Sequence, residues 1–141
     1  SMIVKQVSVF VENTVGRLAD LTKILTDNNI DLKASTIAET VDFGILRCIV
    51  EEPEKTVKIL VENGFSASIS EVTGVSLEDK PGGLHKVLAV LAEAGIAVNY
   101  IYSTIKSAEG KAIIMMKTSD AAKAEEVLKA SGVELAGADS F

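Results

Sequence analysis

The chain has 141 residues, of which 48% are hydrophobic, and this suits one domain of ordinary size or two small ones. Its formal net charge of -6 argues against binding to nucleic acid or an anionic membrane, because either surface would repel it and no run of lysine and arginine forms a basic patch. The apolar stretches are too short to span a membrane, and the N-terminal SMIVKQ lacks the anatomy of a signal peptide. We expect a globular cytoplasmic protein with neither nucleic-acid nor membrane partners.

The sequence contains an internal repeat. A shift of 66 positions aligns VFVENTVGRL (residues 9–18) with VSLEDKPGGL (residues 75–84), and a shift of 68 later aligns Gly64 with Gly132. Each copy is about 65 residues long, which is short for an independent domain but within the range that folds. We predict one domain over residues 2–71 and a second over residues 72–141.

Hydrophobic periodicity predicts the same six elements in each copy, in the order strand, helix, strand, strand, helix, strand. In the first copy these are residues 7–11, 18–25, 32–36, 43–50, 53–61 and 65–72. In the second copy they are residues 73–79, 84–91, 98–105, 111–117, a helix capped by Ser119 or Asp120, and residues 133–136. Pro53 is expected at the start of its helix and Gly64 after its end. The predicted fold class is α+β, with two ferredoxin-like βαββαβ units, each a four-stranded antiparallel sheet with two helices on one face.

The residues that could perform chemistry are few. Cys48 lies within the apolar run FGILRCIV (residues 43–50), which indicates a buried, inert thiol. His85 falls on the polar side of its helix, without other side chains at metal-ligand spacing. The sequence has no nucleophile, phosphate-binding or metalloprotease motif, so we expect no catalysis, no cofactor and no metal. A catalyst that relies on carboxylates such as Asp31 and Asp79 stays open as an alternative.

Both copies place glycine where the first helix begins, although serine or threonine would cap a helix better. The two segments are NTVGRL (residues 13–18) and DKPGGL (residues 79–84). With the βαββαβ order and the repeat, they resemble the ACT domain, a small-molecule-binding regulatory module of amino-acid metabolism, and the resemblance covers nearly all of the chain. DKPGGL fits the D-x-P-G-x-L pattern of that family, whereas the first copy has Val15 where proline is usual.

The resemblance implies that a free amino acid binds where two such domains meet, at the loop before the first helix and the start of the second strand. Backbone N–H groups at a helix start suit the carboxylate, glycine leaves room for close approach, and Asn13 or Asp79 could accept from the ammonium. The candidate ligand-binding residues are Asn13, Thr14, Val15, Gly16, Arg17, Leu18 and Asp31 in the first copy, and Asp79, Lys80, Pro81, Gly82, Gly83 and Leu84 in the second.

Simpler interpretations of these residues stay open. Asn13 and Asp79 could cap the helix or stabilise a turn. Pro81 and Gly82 could form a tight turn, with proline at the first helical position. Arg17, in the first helical turn, could be solvated or could face an anion.

We therefore expect an allosteric regulatory protein that binds a free amino acid and acts through its assembly, as a homodimer, or through an enzyme of amino-acid metabolism. The alternative is a protein–protein interaction or dimerisation module without a small-molecule ligand.

Overall fold

The computed structural model describes residues 2–78, 80–104 and 111–141, which form two compact units. The first unit is Lys5–Ser70, and the second is Glu71–Phe141 together with residues 2–4. The boundary predicted between residues 71 and 72 lies beside this division. As a domain boundary it stays a prediction.

The first unit has the six predicted elements. They are β1 (Val4–Glu12), α1 (Arg17–Asp27), β2 (Ala34–Glu39), β3 (Phe43–Ile49), α2 (Pro53–Glu62) and β4 (Ser66–Glu78), the last of which ends among the residues of the second unit. The strand order is β2-β3-β1-β4, and β3 pairs antiparallel with both β1 and β2. Pro53 opens α2 and Gly64 follows its C-cap with a φ of 87°, so both predicted helix limits are confirmed.

The core of the first unit explains why both helices lie on one face of the sheet. Alternation along β1 directs Val7 and Val9 to the same side, where each is fully buried. Leu21 of α1 and Leu60 of α2 pack into the same cluster, and Cys48 of β3 adds its buried thiol. The period-2 strand and the helical stripe therefore meet as the sequence predicts.

The second unit repeats this arrangement. After β4 it contains α3 (Gly83–Glu93), β5 (Val98–Ser103), β6 (Lys111–Thr118), α4 (Ala121–Ala130), β7 (Leu135–Ala136) and a short 3-10 helix (Ala138–Ser140). The strand order is β5-β6-β4-β7, with antiparallel pairing throughout. Asp120 caps α4 by accepting a hydrogen bond from the Lys123 backbone N–H at 3.0 Å, so of the two predicted caps it is Asp120 that forms.

Several strand limits, including those of β1 and β2, differ from the prediction by one to three residues, and two further differences concern β4 and β7. Residues 65–72 and 73–79 were expected as separate strands, but β4 runs unbroken from Ser66 to Glu78. Gly74 does not break it, because this glycine serves packing instead: a β-carbon there would lie 2.6 Å from the carbonyl oxygen of Ala136. The last strand is shorter than expected, although the Ser76 N–H still donates to the Glu134 carbonyl at 2.9 Å. Ile105, predicted in the fifth strand, lies outside the described residues.

The predicted fold class, α+β with ferredoxin-like units, is confirmed. Among the described residues, no helix is both long enough and apolar enough to cross a bilayer.

Candidate functional site

The glycines that begin the two first helices adopt the left-handed backbone conformation. Gly16 has a φ of 84° and Gly82 a φ of 94°, and each is the N-cap residue of its helix without a side-chain capping hydrogen bond. A β-carbon built on either would meet no heavy atom within 4 Å. Glycine is therefore required at these positions by the backbone conformation and not by crowding within the chain.

This geometry excludes one part of two simpler interpretations, namely Asn13 as a helix cap and Pro81 as the first helical residue, whereas Pro81 and Gly82 do lie in a turn. Asn13 does not cap α1, since α1 has no side-chain cap, and its backbone N–H donates to the Asp42 carbonyl at 3.2 Å. Pro81 is not the first helical residue, because Gly82 is the N-cap and α3 begins at Gly83. The corresponding question for Asp79 falls outside the described residues.

The first-copy loop borders a small cavity. Asn13, Thr14 and Leu18 line a space of about 120 Å³ beside Ile37 of β2. Val15 is fully exposed. Asp31 lines a different cavity of about 120 Å³ at the far end of α1, so within the first unit the structure does not bring Asp31 to the loop. Its role in ligand binding stays a prediction.

Arg17 packs against its own unit. Its guanidinium carbon lies 3.8 Å from the centroid of the Phe65 ring, and its Nη2 group donates to the Gly64 carbonyl at 3.5 Å. An ion pair with Asp20, at 3.9 Å, is the longest of the three contacts. A guanidinium over an aromatic face is attracted by the negative face of the ring. The side chain is 25% exposed, so Arg17 is not fully solvated.

The second-copy loop borders a much larger cavity, of about 530 Å³, which lies within the size range of small-molecule sites. It is bounded by the end of β4, the start of α3, the start of β6 and the loop before β7. Its lining residues include four of the predicted site residues and several that were not predicted: Ser76, Leu77, Glu78, Lys80, Pro81, Gly82, Gly83, Lys86, Val87, Lys111, Gly132, Val133 and Glu134.

The cavity carries an excess of lysine. The Lys80 ammonium lies 2.7 Å from Glu78, and this hydrogen bond lowers the pKa of the Glu78 carboxyl and raises the pKa of Lys80. Lys111 pairs with Glu134 at 2.8 Å. Lys86 forms no ion pair with any carboxylate in the described part of the chain. The described lining thus has one ammonium in excess, in a protein whose net charge is -6.

Sequence reasoning missed Lys86, Lys111 and the segment 132–134. The repeat contained a signal for the last of these, because it aligns Gly132 with Gly64, the residue whose carbonyl accepts from Arg17. Nothing in the spacing of Lys86 or Lys111 indicates that they share a cavity, because that depends on how α3 and β6 pack.

The structure also places the residues that the sequence offered for metal binding or catalysis. Among the described residues, no group of three or more His, Cys, Asp and Glu side chains is placed to hold a metal ion. Cys48 is 1% exposed, and burial raises the pKa of its thiol to about 12, so the predicted buried thiol is confirmed. His85 is exposed on α3, also as predicted.

Comparison with known proteins gives the family. The sequence model of the ACT domain pair matches residues 2–139. Among solved structures, protein BT0572 from Bacteroides thetaiotaomicron is similar, with 42% identity and a TM-score of 0.90 over 99% of this chain and 95% of that chain. No curated protein matched the sequence.

Two more distant structures share the fold. The regulatory subunit of aspartate kinase from Thermus thermophilus, in its ligand-free form, has 14% identity and a TM-score of 0.65 over 94% of this chain and 92% of that chain. The same subunit from Thermus flavus has 15% identity and a TM-score of 0.64 over equal shares. The chain therefore belongs to the ACT domain family, as a tandem pair of ACT domains.

Proposed function

We propose that this protein is a non-catalytic, cytoplasmic regulatory protein that binds a free amino acid and transmits the signal through its assembly or through a partner enzyme. The observation that carries the proposal is the cavity of about 530 Å³, which is lined by the loop that the sequence singled out and has an ammonium in excess among its described lining residues. ACT domains are regulatory modules, and the model of the ACT domain pair matches residues 2–139.

An α-amino acid suits the second-copy loop. Its carboxylate requires donors, and these are the Lys86 ammonium and the first backbone N–H groups of α3, which have no partner within the helix. Its ammonium requires oxygen acceptors, the role predicted for Asp79, which lies outside the described residues. We keep Lys80, Pro81, Gly82, Gly83 and Leu84 as the other members of this proposed site.

The first-copy residues are proposed as a second set of contacts. Asn13, Thr14, Val15, Gly16 and Leu18 form or adjoin the small cavity at the start of α1, and Asp31 lies elsewhere in the same unit. A cavity of about 120 Å³ is below the size typical of sites for drug-sized ligands. We therefore expect the second copy to provide the stronger contacts with the ligand and the first copy the weaker ones.

Amino-acid binding can act as a signal only if it changes the assembly of the protein or its contact with a partner. β2 and β5 lie at the edges of their sheets, and an edge strand has backbone groups that a further strand can pair with. We propose a homodimer whose packing changes when an amino acid binds. The Thermus proteins of this fold are regulatory subunits of aspartate kinase, and by extension the partner here would be an enzyme of amino-acid metabolism.

A second candidate function is an interaction or dimerisation module without a small-molecule ligand. It is favoured by the apolar surface of the first unit, where Phe10 and Phe43 are 48% and 44% exposed. Their rings contact each other edge to face, at 6.5 Å between centroids. Apolar surface of this kind often marks a contact with another protein.

The melting temperature of the intact chain, measured with each standard amino acid, separates the two candidates. A ligand present at about 100 times its Kd adds about 2.7 kcal/mol to the free energy of unfolding, so one amino acid should raise the melting temperature by several degrees. Sedimentation velocity with and without that amino acid should then show a change in assembly. A melting curve that none of the amino acids shifts would favour the interaction module.

A further inference from the structure

The two copies differ at one structurally equivalent point. The first residue of α1 is Arg17, and the repeat aligns it with Gly83, the first residue of α3. The segment that follows the second helix is Gly64 and Phe65 in the first copy, and Gly132 and Val133 in the second. The first copy thus has the long cationic side chain of Arg17 where the second has glycine. It also has the aromatic ring of Phe65 where the second has the smaller aliphatic side chain of Val133.

The structure shows what this difference does. In the first unit the Arg17 guanidinium lies on Phe65 and against the Gly64 carbonyl, and it fills the space between the start of α1 and the end of α2. In the second unit the equivalent residues Gly83, Gly132 and Val133 all line the cavity of about 530 Å³. Neither described cavity of the first unit is lined by Arg17, Gly64 or Phe65.

We propose that the second copy alone has an open site at this point, which takes a small carboxylate-bearing molecule, and that the first copy closes the equivalent site with its own Arg17. The proposal rests on the proposed function and deepens it, because it assigns the binding copy and adds Lys86 and the segment 132–134 to the site. One ligand molecule then binds per chain.

The lining indicates the chemical class of the ligand. Lys80 and Lys111 each have a glutamate partner, which leaves Lys86, among the lining residues that the structure describes, to neutralise a ligand carboxylate. The Gly132 carbonyl is the counterpart of the Gly64 carbonyl, which accepts from the Arg17 guanidinium, so it is suited to a cationic donor. An α-amino acid has both groups, whereas a 2-oxo acid has the carboxylate without the ammonium.

The test gives the second copy the side chains that close the equivalent site in the first copy. Gly83→Arg, alone and with Val133→Phe, places the guanidinium and ring in the second copy. Ala92→Arg is the matched control, because Ala92 is an exposed residue in the last turn of the same helix, away from the cavity, where a cation suits the helix dipole. Calorimetric titrations of intact chains use the standard amino acids, and then pyruvate and 2-oxoglutarate, as probes.

We expect a probe to bind the unmodified chain once, with an affinity that falls at least about tenfold in Gly83→Arg and is unchanged in Ala92→Arg. If Gly83→Arg does not fold, Lys86→Met takes its place, with the exposed Lys129→Met as control, and the same loss is expected. An amino acid that binds equally well to Gly83→Arg or Lys86→Met would overturn the inference but leave the proposed function standing.

The 2-oxo acids distinguish the assigned second-copy site from the proposed amino-acid function. If only 2-oxo acids bind, and Gly83→Arg abolishes that binding, the assigned site stands and the amino-acid function is wrong. If no probe of either kind binds, the inference is overturned. Binding of two molecules per chain would also contradict it, because the first copy would then be open.

Discussion

The guanidinium carbon of Arg17 lies 3.8 Å from the centroid of the Phe65 ring, and the Arg17 Nη2 group lies 3.5 Å from the Gly64 carbonyl oxygen. This contact joins the start of α1 to the residues that follow α2. A cation in the first turn of a helix opposes the helix dipole, so its presence there requires a compensating interaction. The ring and the carbonyl provide one, and they make Arg17 part of the structure of the first unit.

We expect Arg17→Ala to lower the free energy of unfolding by about 1 kcal/mol, because it removes the cation–π contact and uncovers the Phe65 ring. Lys23→Ala is the control, since Lys23 is an exposed lysine of the same helix that pairs with Asp27. Urea unfolding of both variants, with Phe65→Leu to complete a double-mutant cycle, measures the coupling. Equal stability of Arg17→Ala and Lys23→Ala would show that the contact contributes nothing.

Gly82 and Gly83 are neighbours with different backbone conformations, so substitutions at the two positions can be compared directly. Gly82→Ala should destabilise the chain by about 1 kcal/mol or more, because an L-residue at a φ of 94° is strained. Gly83→Ala should be neutral or stabilising, since Gly83 is helical and a β-carbon there would lie 3.5 Å from the Glu78 carbonyl oxygen, an ordinary contact. Thermal unfolding of the two variants gives the difference. The reverse order of stability would be incompatible with the backbone conformation described at Gly82.

The fold could be predicted from the sequence because periodicity and repetition agreed. Val7, Val9 and Val11 alternate, Leu21 and Leu25 have helical spacing, and the structure buries all five. The continuity of β4 could not be predicted, because Gly74 is equally compatible with a turn and with close packing on Ala136. Local sequence does not separate these two uses of glycine.

The site was predictable only in part. The loop of residues 80–83 lines the large cavity, as the glycine-containing pattern suggested. The enclosure comes from Lys111 and Glu134, which are distant in sequence and reach the cavity only through the pairing of β6 and β7 with β4. The contact by which Arg17 fills the equivalent place in the first copy also depends on tertiary packing. The sequence alignment of Arg17 with Gly83 showed only that the two copies differ at this position.

The cap of α4 gives a third expectation. Asp120→Ala should cost about 1 kcal/mol, because the Lys123 N–H loses its acceptor, whereas Asp120→Asn should retain most of the stability. Guanidinium unfolding monitored by circular dichroism distinguishes the two. A large loss for Asp120→Asn as well would mean that the aspartate acts through its charge and not through the capping hydrogen bond.

Cys48 gives a pH-dependent expectation. Burial raises the pKa of its thiol from 9.0 to about 12, so between these pH values the unfolded chain loses a proton that the folded chain retains. The free energy of unfolding should therefore fall as the pH rises above 9, by up to about 1.4 kcal/mol per pH unit from this group. Denaturant unfolding at several pH values should show a shallower decline for Cys48→Ala. Parallel declines for the two chains would contradict the burial of the thiol, as would rapid reaction of the folded chain with a thiol reagent at neutral pH.

Direct binding decides whether this ACT pair is an amino-acid sensor. Equilibrium dialysis of the intact chain against each standard amino acid, at concentrations up to about 1 mM, measures retained ligand without assuming a change in stability or assembly. We predict saturable retention of at least one amino acid, at one molecule per chain. If none of the amino acids is retained above the buffer level, the protein does not sense amino acids in this range.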